Sequence, residues 1–186
     1  AAAWVRTIPC QEIARQLQAN LDLLATELRN VPERQRSLRA AFLYSWGLLR
    51  PEEQNILKQL TVFQGGFTAD AAVSVTAASL RDISALVDKS LLQRTPAGRF
   101  DLHPMIHYFA LAYLTPAEQT ALRTRHSHYF ADQFRVWTFQ EGNVYRQEAL
   151  RRVAEELDNA RASWHWACQQ PDPEVFDRLF SLLSLF

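Results

Sequence analysis

The stretch from Ser79 to Leu114 constrains the fold of this 186-residue chain more than any other. Leu80, Ile83, Leu86 and Val87 recur at the spacing of an amphipathic helix. Ser90-Leu91-Leu92-Gln93-Arg94 and Arg99-Phe100-Asp101-Leu102 then flank the turn Thr95-Pro96-Ala97-Gly98, the pattern of a short β-hairpin. His103 ends the second strand, and Pro104 biases it to an extended backbone while opening a helix from Met105 to Leu114. A helix, a hairpin and a second helix in that order predict a winged helix, with His103 presented at a bend outside the helix.

The preceding residues supply the rest of that unit. Ser37 is a plausible cap for a helix carrying Leu38, Phe42, Trp46 and Leu49. Arg50-Pro51-Glu52-Glu53 starts another, in which Glu52 and Glu53 complement the helix dipole and read as capping charges, not as an acid/base pair. Ile56, Leu57 and Leu60 lead into Thr61-Val62-Phe63, expected as a short β-like run closed by Gln64-Gly65-Gly66-Phe67. The glycine pair reads as a turn, because the Gly-x-x-x-x-Gly-Lys-Ser/Thr spacing of a phosphate loop occurs nowhere in the chain. Thr68 caps a helix from Ala69 to Val75.

Residues 31–115 therefore form the predicted winged-helix domain. Before it, residues 1–30 carry Ile13, Leu17, Leu21 and Leu24 at helical spacing after Pro9, as the end of a preceding helical domain would. After it, Thr115-Pro116-Ala117-Glu118 has capping-box character, and Leu122, His126, Tyr129, Phe130 and Phe134 run down one side of a long helix. Tyr145 to Cys168 reads as one helical stretch, and Gln170-Pro171-Asp172-Pro173 turns into a final apolar helix. Residues 116–186 are expected to be antiparallel helix pairs joined by polar turns, the start of a tetratricopeptide-like solenoid. The fold class is mainly α.

Charge and motif content narrow the function. Lys plus Arg and Asp plus Glu are both 20, so no global field attracts nucleic acid or anionic membrane. The candidate recognition helix balances Arg81 and Lys89 against Asp82 and Asp88, whereas phosphate contacts demand a clustered cationic excess, which argues against direct DNA binding. The one basic cluster, Arg34, Arg36 and Arg39, fits a solvated linker face. No run approaches the length of a membrane span, the first residues lack the basic region and cleavage site of a signal peptide, and Cys10 and Cys168 lack framework spacing, so a reducing cytoplasm and buried or inert thiols are expected. His103 and His107 are four apart, but Pro104 sets His103 outside the helix, and no metal site is expected. His126 and His128 point to different faces. Trp164 and Trp166 flanking His165 could bind an aromatic ligand, but helix packing in a solenoid is the favoured expectation. Both ends read as interrupted apolar helices, as in a piece of something larger.

Val31 to Ala41, Leu48 to Gln54, Leu60 to Thr68 and Leu86 to Leu92 resemble the region that follows the nucleotide-binding module in STAND signal-transduction ATPases, the bacterial NB-ARC-like regulators. Arg99-Phe100-Asp101-Leu102-His103 and Glu156-Leu157-Asp158-Asn159-Ala160-Arg161-Ala162 extend the resemblance into the segment that begins such proteins' tetratricopeptide-like arrays. The resemblance implies a clamp: ADP holds the nucleotide domain, helical domain and winged helix closed, and exchange for ATP, with Mg, releases them to oligomerise. It also implies a nucleotide-binding domain in the same polypeptide, protein partners along the helical array, and no catalysis by these residues themselves, which lack both Walker motifs.

In that family a Met-His-Asp motif after the wing sets its histidine against the β-phosphate of ADP. Leu102-His103-Pro104 occupies the place here, which makes His103 the implied phosphate contact and leaves Pro104 where the motif has an aspartate. A contact made only in the closed state would bias a two-state equilibrium. The competing expectation is a DNA-binding winged-helix transcription regulator whose C-terminal helices dimerise or carry an effector role.

Overall fold

The computed structural model describes residues 38–138, 143–170 and 172–180. They belong to two compact units, residues 1–54 and 55–186. The expected Pro9 helix, the Arg34 and Arg36 linker, the Ser37 cap and Cys10 lie outside the described residues.

In the first unit, helix α1 (Leu38–Gly47) is followed by the start of helix α2 (Pro51–Gln59). The Arg50 backbone N–H donates to the Glu53 carboxylate at 2.8 Å, so Glu53 closes the first turn of α2 as a cap. Gln54 Nε2 donates to the Trp46 carbonyl at 2.9 Å, and the Phe42 and Trp46 rings lie 5.5 Å apart.

The second unit is mainly helical with one small hairpin. A 3-10 turn (Leu60–Val62) precedes helices α3 (Ala69–Thr76) and α4 (Leu80–Asp88), strands β1 (Gln93–Arg94) and β2 (Phe100–Asp101), and helix α5 (Pro104–Leu111). Helices α6 (Pro116–Thr138), α7 (Asn143–Glu155), α8 (Leu157–Gln169) and α9 (Pro173–Phe180) follow. The sequence signals for helix starts are realised as hydrogen bonds. Thr68 accepts from the Ala71 N–H at 3.1 Å, and Ser79 with Asp82, like Thr115 with Glu118, forms a reciprocal capping box. Lys58, at the end of α2, donates to Glu118 at 2.7 Å and holds that carboxyl down to about 2.

Three elements differ from expectation, each for a local reason. Thr61-Val62-Phe63 opens as a 3-10 turn, not a strand, because the Thr61 hydroxyl donates back to the Lys58 carbonyl at 2.6 Å and the Phe63 N–H to the Leu60 carbonyl. The hairpin strands are two residues each, paired Gln93 to Asp101 and Arg94 to Phe100. Leu91 and Leu92 do not join them: Ser90 takes a left-handed backbone (φ 58°), and both leucine N–H groups return to the Leu86 carbonyl, closing α4 and burying the two side chains. The stretch from Tyr145 to Cys168 is two helices, interrupted at Glu156 (φ −105°, ψ 15°).

Helix α6 is the spine of this unit, packing against α3, α7, α8, α9 and the 3-10 turn. Phe63 stacks on Phe67 at 4.6 Å, and Phe130 and Phe134 follow along α6 beside buried Leu60, Ile83, Leu86, Leu92 and Leu122. The helices after Thr115 thus share one core with the winged-helix elements. Cys168, expected as a buried or inert thiol, is exposed.

Candidate functional site: a buried polar latch and the bend at His103

His103 is the N-cap of α5, with Pro104 at the first helical position. Its Nδ1 accepts from the Met105 N–H at 3.2 Å, so the neutral ring carries its proton on Nε2. The side chain is exposed. His107 faces elsewhere: its Nε2 donates to the Thr61 carbonyl at 2.7 Å and ties α5 to the 3-10 turn. The two histidines share no ligand geometry, and among the described residues no group of three His, Cys, Asp or Glu side chains is placed to hold a metal.

A buried polar cluster lies where the Gly65-Gly66 turn meets the start of α8. Asn159, fully buried in the first turn of α8, uses its whole hydrogen-bonding capacity. Its Oδ1 accepts from the Gln64 N–H at 2.8 Å and from His126 Nε2 at 3.1 Å. Its Nδ2 donates to the Gly66 carbonyl at 2.9 Å and to the Glu156 carboxylate at 2.7 Å. Glu156, 5% exposed, also receives both guanidinium arms of Arg99, the residue before β2, Nη2 to Oε2 at 3.0 Å. That hydrogen-bonded pairing raises the Arg99 pKa further above its ordinary value.

His126 completes the cluster from α6. With Nε2 donating to Asn159, its Nδ1 accepts from the Ser163 hydroxyl at 3.3 Å, and burial depresses its pKa to about 4. A neutral ring with both nitrogens paired is the form such a site stabilises. The latch therefore joins the Gly-Gly turn, the wing, α6 and α8 with no buried side-chain polar atom left unpaired among the described residues.

Backbone geometry explains the glycine pair. Gly65 and Gly66 have φ of 70° and 84°, where side chains are strained. A Cβ on Gly65 would stand 2.8 Å from Asp158 Oδ2, and one on Gly66 2.9 Å from the Phe100 carbonyl oxygen. The turn is tight because α8 and β2 close on it from two sides.

Sequence reasoning quoted Gln64 to Phe67, Arg99 to Leu102 and Glu156 to Asn159 as separate marks of resemblance and assigned them no contact. The structure brings all three together. Arg99, His126, Glu156 and Asn159 were not singled out for a site, although one signal was present. Asn159 and Ser163 stand four apart in line with Ala160 and Ala167, and His126 interrupts the apolar stripe of α6, so polar groups occupy inward positions on two helices. Helix α4, the candidate recognition element, exposes Leu80, Arg81, Ser84 and Asp88, whose charges cancel, with Lys89 exposed at its C-cap. In the wing, Arg99 is taken by Glu156, and Arg94 remains exposed.

Comparisons with known proteins add one point. Proteins named "Putative HTH-type transcriptional regulator" from Mycobacterium tuberculosis strains H37Rv and CDC 1551, and from Mycobacterium bovis, are each 32% identical to this chain over 177 residues, 90% of its length. The chain spans 20% of theirs. No protein-family model and no solved structure matches. The similarity links the chain to proteins described as transcriptional regulators. Among the described residues no helix is long and apolar enough to cross a membrane.

Proposed function

We propose that this chain is a non-catalytic regulatory module of a cytoplasmic transcriptional regulator, in which a winged helix is locked to the first helices of a protein-binding scaffold and moves with it as one body. The observation that carries the reading is the Asn159 latch. A buried, fully paired polar network crossing from wing and turn to α6 and α8 couples the two parts far more rigidly than an apolar contact of the same size, since partial separation leaves several groups unpaired.

The STAND resemblance supplies the finer form. The partner is a nucleotide-binding domain in the same polypeptide, ADP or ATP with Mg is its ligand, and the exposed Nε2–H of His103 is the donor offered to the ADP phosphate in the closed state. Pro104, as the first residue of α5, replaces the motif aspartate with a helix-starting role. In this form the helices from α6 onward begin the tetratricopeptide-like array. In the longer protein, His103→Ala is expected to weaken ADP about tenfold in calorimetric titration and leave ATP unchanged. Equal affinities for both nucleotides would remove that role.

A second reading, direct DNA binding through α3 and α4, is favoured by the helix-turn-helix in the relatives' name. The neutral exposed face of α4 and the engaged Arg99 favour protein contact instead. Fluorescence anisotropy of a duplex at low salt separates the two. The module reading predicts no saturation through the range of about 1–100 µM where nonspecific binders already associate. Saturation that falls steeply with salt and is lost in Arg81→Glu would assign the DNA role.

A further inference from the structure

Beside the latch, the 3-10 turn, α5, α6 and α8 enclose a groove of about 310 Å³. Leu111, Leu114 and Leu122 form an apolar floor, while Arg123, Gln119 and Trp166 stand at the rim. Among the described residues lining it there is no aspartate or glutamate. Of its three histidines, His107 donates to the Thr61 carbonyl, His126 is engaged on both nitrogens by Asn159 and Ser163, and the exposed His165 pairs its Nε2 with the Gln169 amide at 2.8 Å. Arg123 is the one lysine or arginine among the described residues that line the groove. Its guanidinium lies 5.5 Å from the centre of the Trp166 ring, an aromatic face in place of a carboxylate, and the indole is itself fixed by donating Nε1–H to Thr124 Oγ1 at 3.2 Å.

We propose that this groove binds a small aromatic carboxylate, its ring on the leucine floor and its carboxylate paired with Arg123. A guanidinium held beside an indole offers its edge donors in one plane, the arrangement that suits a planar, two-oxygen acceptor. The volume lies near the lower end of small-molecule sites, about 300–1,000 Å³, which restricts the ligand to one or two rings. One arginine balances one negative charge, so a dianionic phosphate would remain half compensated over an apolar floor. The groove spans the same seam as the latch, and a ligand in it would touch both α5 and α8. Occupancy would therefore favour the joined state and act as an effector signal. The site stands whether or not the regulatory reading above holds.

Calorimetric titration of the 186-residue chain with indole-3-acetate and benzoate, and with indole-3-acetamide as the uncharged counterpart, tests the assignment. The acetate is expected to bind about tenfold or more tightly than the amide. Arg123→Gln, at an exposed position, should keep the wild-type circular dichroism spectrum and reduce the acetate to the level of the amide without altering the amide. Arg125→Gln, two residues on along α6 and outside the groove lining, should change neither. Inorganic phosphate should not displace the acetate. Absence of binding by either carboxylate at millimolar concentration, equal affinity for acetate and amide, an Arg123→Gln chain that retains acetate affinity, or displacement by phosphate would each overturn the proposal.

Discussion

The bend at His103 and the seam at Asn159 both place a polar side chain at the mouth of a helix, and they use it in opposite ways. His103 is exposed and caps α5 with a single hydrogen bond. Asn159 is buried and joins four groups from the Gly-Gly turn, α6 and the Glu156 interruption. Water can replace the His103 cap when it is lost, so that residue is free to serve an external acceptor. Nothing replaces the bonds of Asn159, so that residue is committed to holding parts together. The contrast separates a group available for signalling from a group that transmits it.

Asn159→Leu should break the contrast most severely. It strands the Gln64 N–H, the Gly66 carbonyl, His126 Nε2–H and part of the Glu156 carboxylate, and a loss of about 4 kcal/mol is expected in urea unfolding, given about 1–3 kcal/mol per stranded buried group. A loss under about 1 kcal/mol would mean that the seam relaxes around the defect.

Next in size is the pH response of His126. Its pKa is near 6.5 when unfolded and about 4 when folded. Above pH 6.5 both states hold the ring neutral and the residue has no pH effect. As pH falls from 6.5 to 4 only the unfolded state takes up the proton, so stability drops, by about 3 kcal/mol once pH 4 is reached. Comparison of wild type with His126→Gln isolates the effect, the variant showing a shallower slope across that window. Parallel slopes would place a protonated ring within the latch.

The glycines sharpen the seam's geometry. Gly66→Ala should cost about 2 kcal/mol and Gly65→Ala about 1, since both suffer the left-handed backbone. The additional obstacle at Gly66 is the Phe100 backbone carbonyl, while at Gly65 it is the side chain of Asp158, which can rotate away. A reversed order in thermal unfolding would contradict the approach of β2 to the turn. The smallest effect belongs to the other region: His103→Ala should cost about 1 kcal/mol or less, the value of a helix cap, and leave the stability loss of Asn159→Leu additive with it.

Much of the fold was legible because its signals are local. Thr68 and Thr115 each mark a helix start that the structure confirms by a side-chain hydrogen bond, and Gly98 marks the hairpin turn. The failures are also instructive. Leu91 and Leu92 have strand-like composition, yet Ser90 can enter the left-handed region and sends both backbone groups back to α4. Glu156 sits within a helical periodicity, and only its distant partner Arg99 marks the place where the helix is interrupted. The latch was hidden for the same reason: Gln64 and Asn159 are 95 residues apart, and no local pattern records their bond. His103 was visible because a proline follows it. The structure assigns it the capping bond and leaves its phosphate role to the proposal.

Amide hydrogen exchange tests most directly whether the wing and the helices after it form one body. In the wild-type chain the Gln64, Phe67 and Phe100 amides should open with the same free energy as the Ser163 and Ala167 amides of α8, and Asn159→Leu should lower all of them together. Gln64 and Phe100 amides that exchange orders of magnitude faster than those of α8 in the wild-type chain would contradict the account, because the wing would then move apart from the scaffold it is proposed to carry.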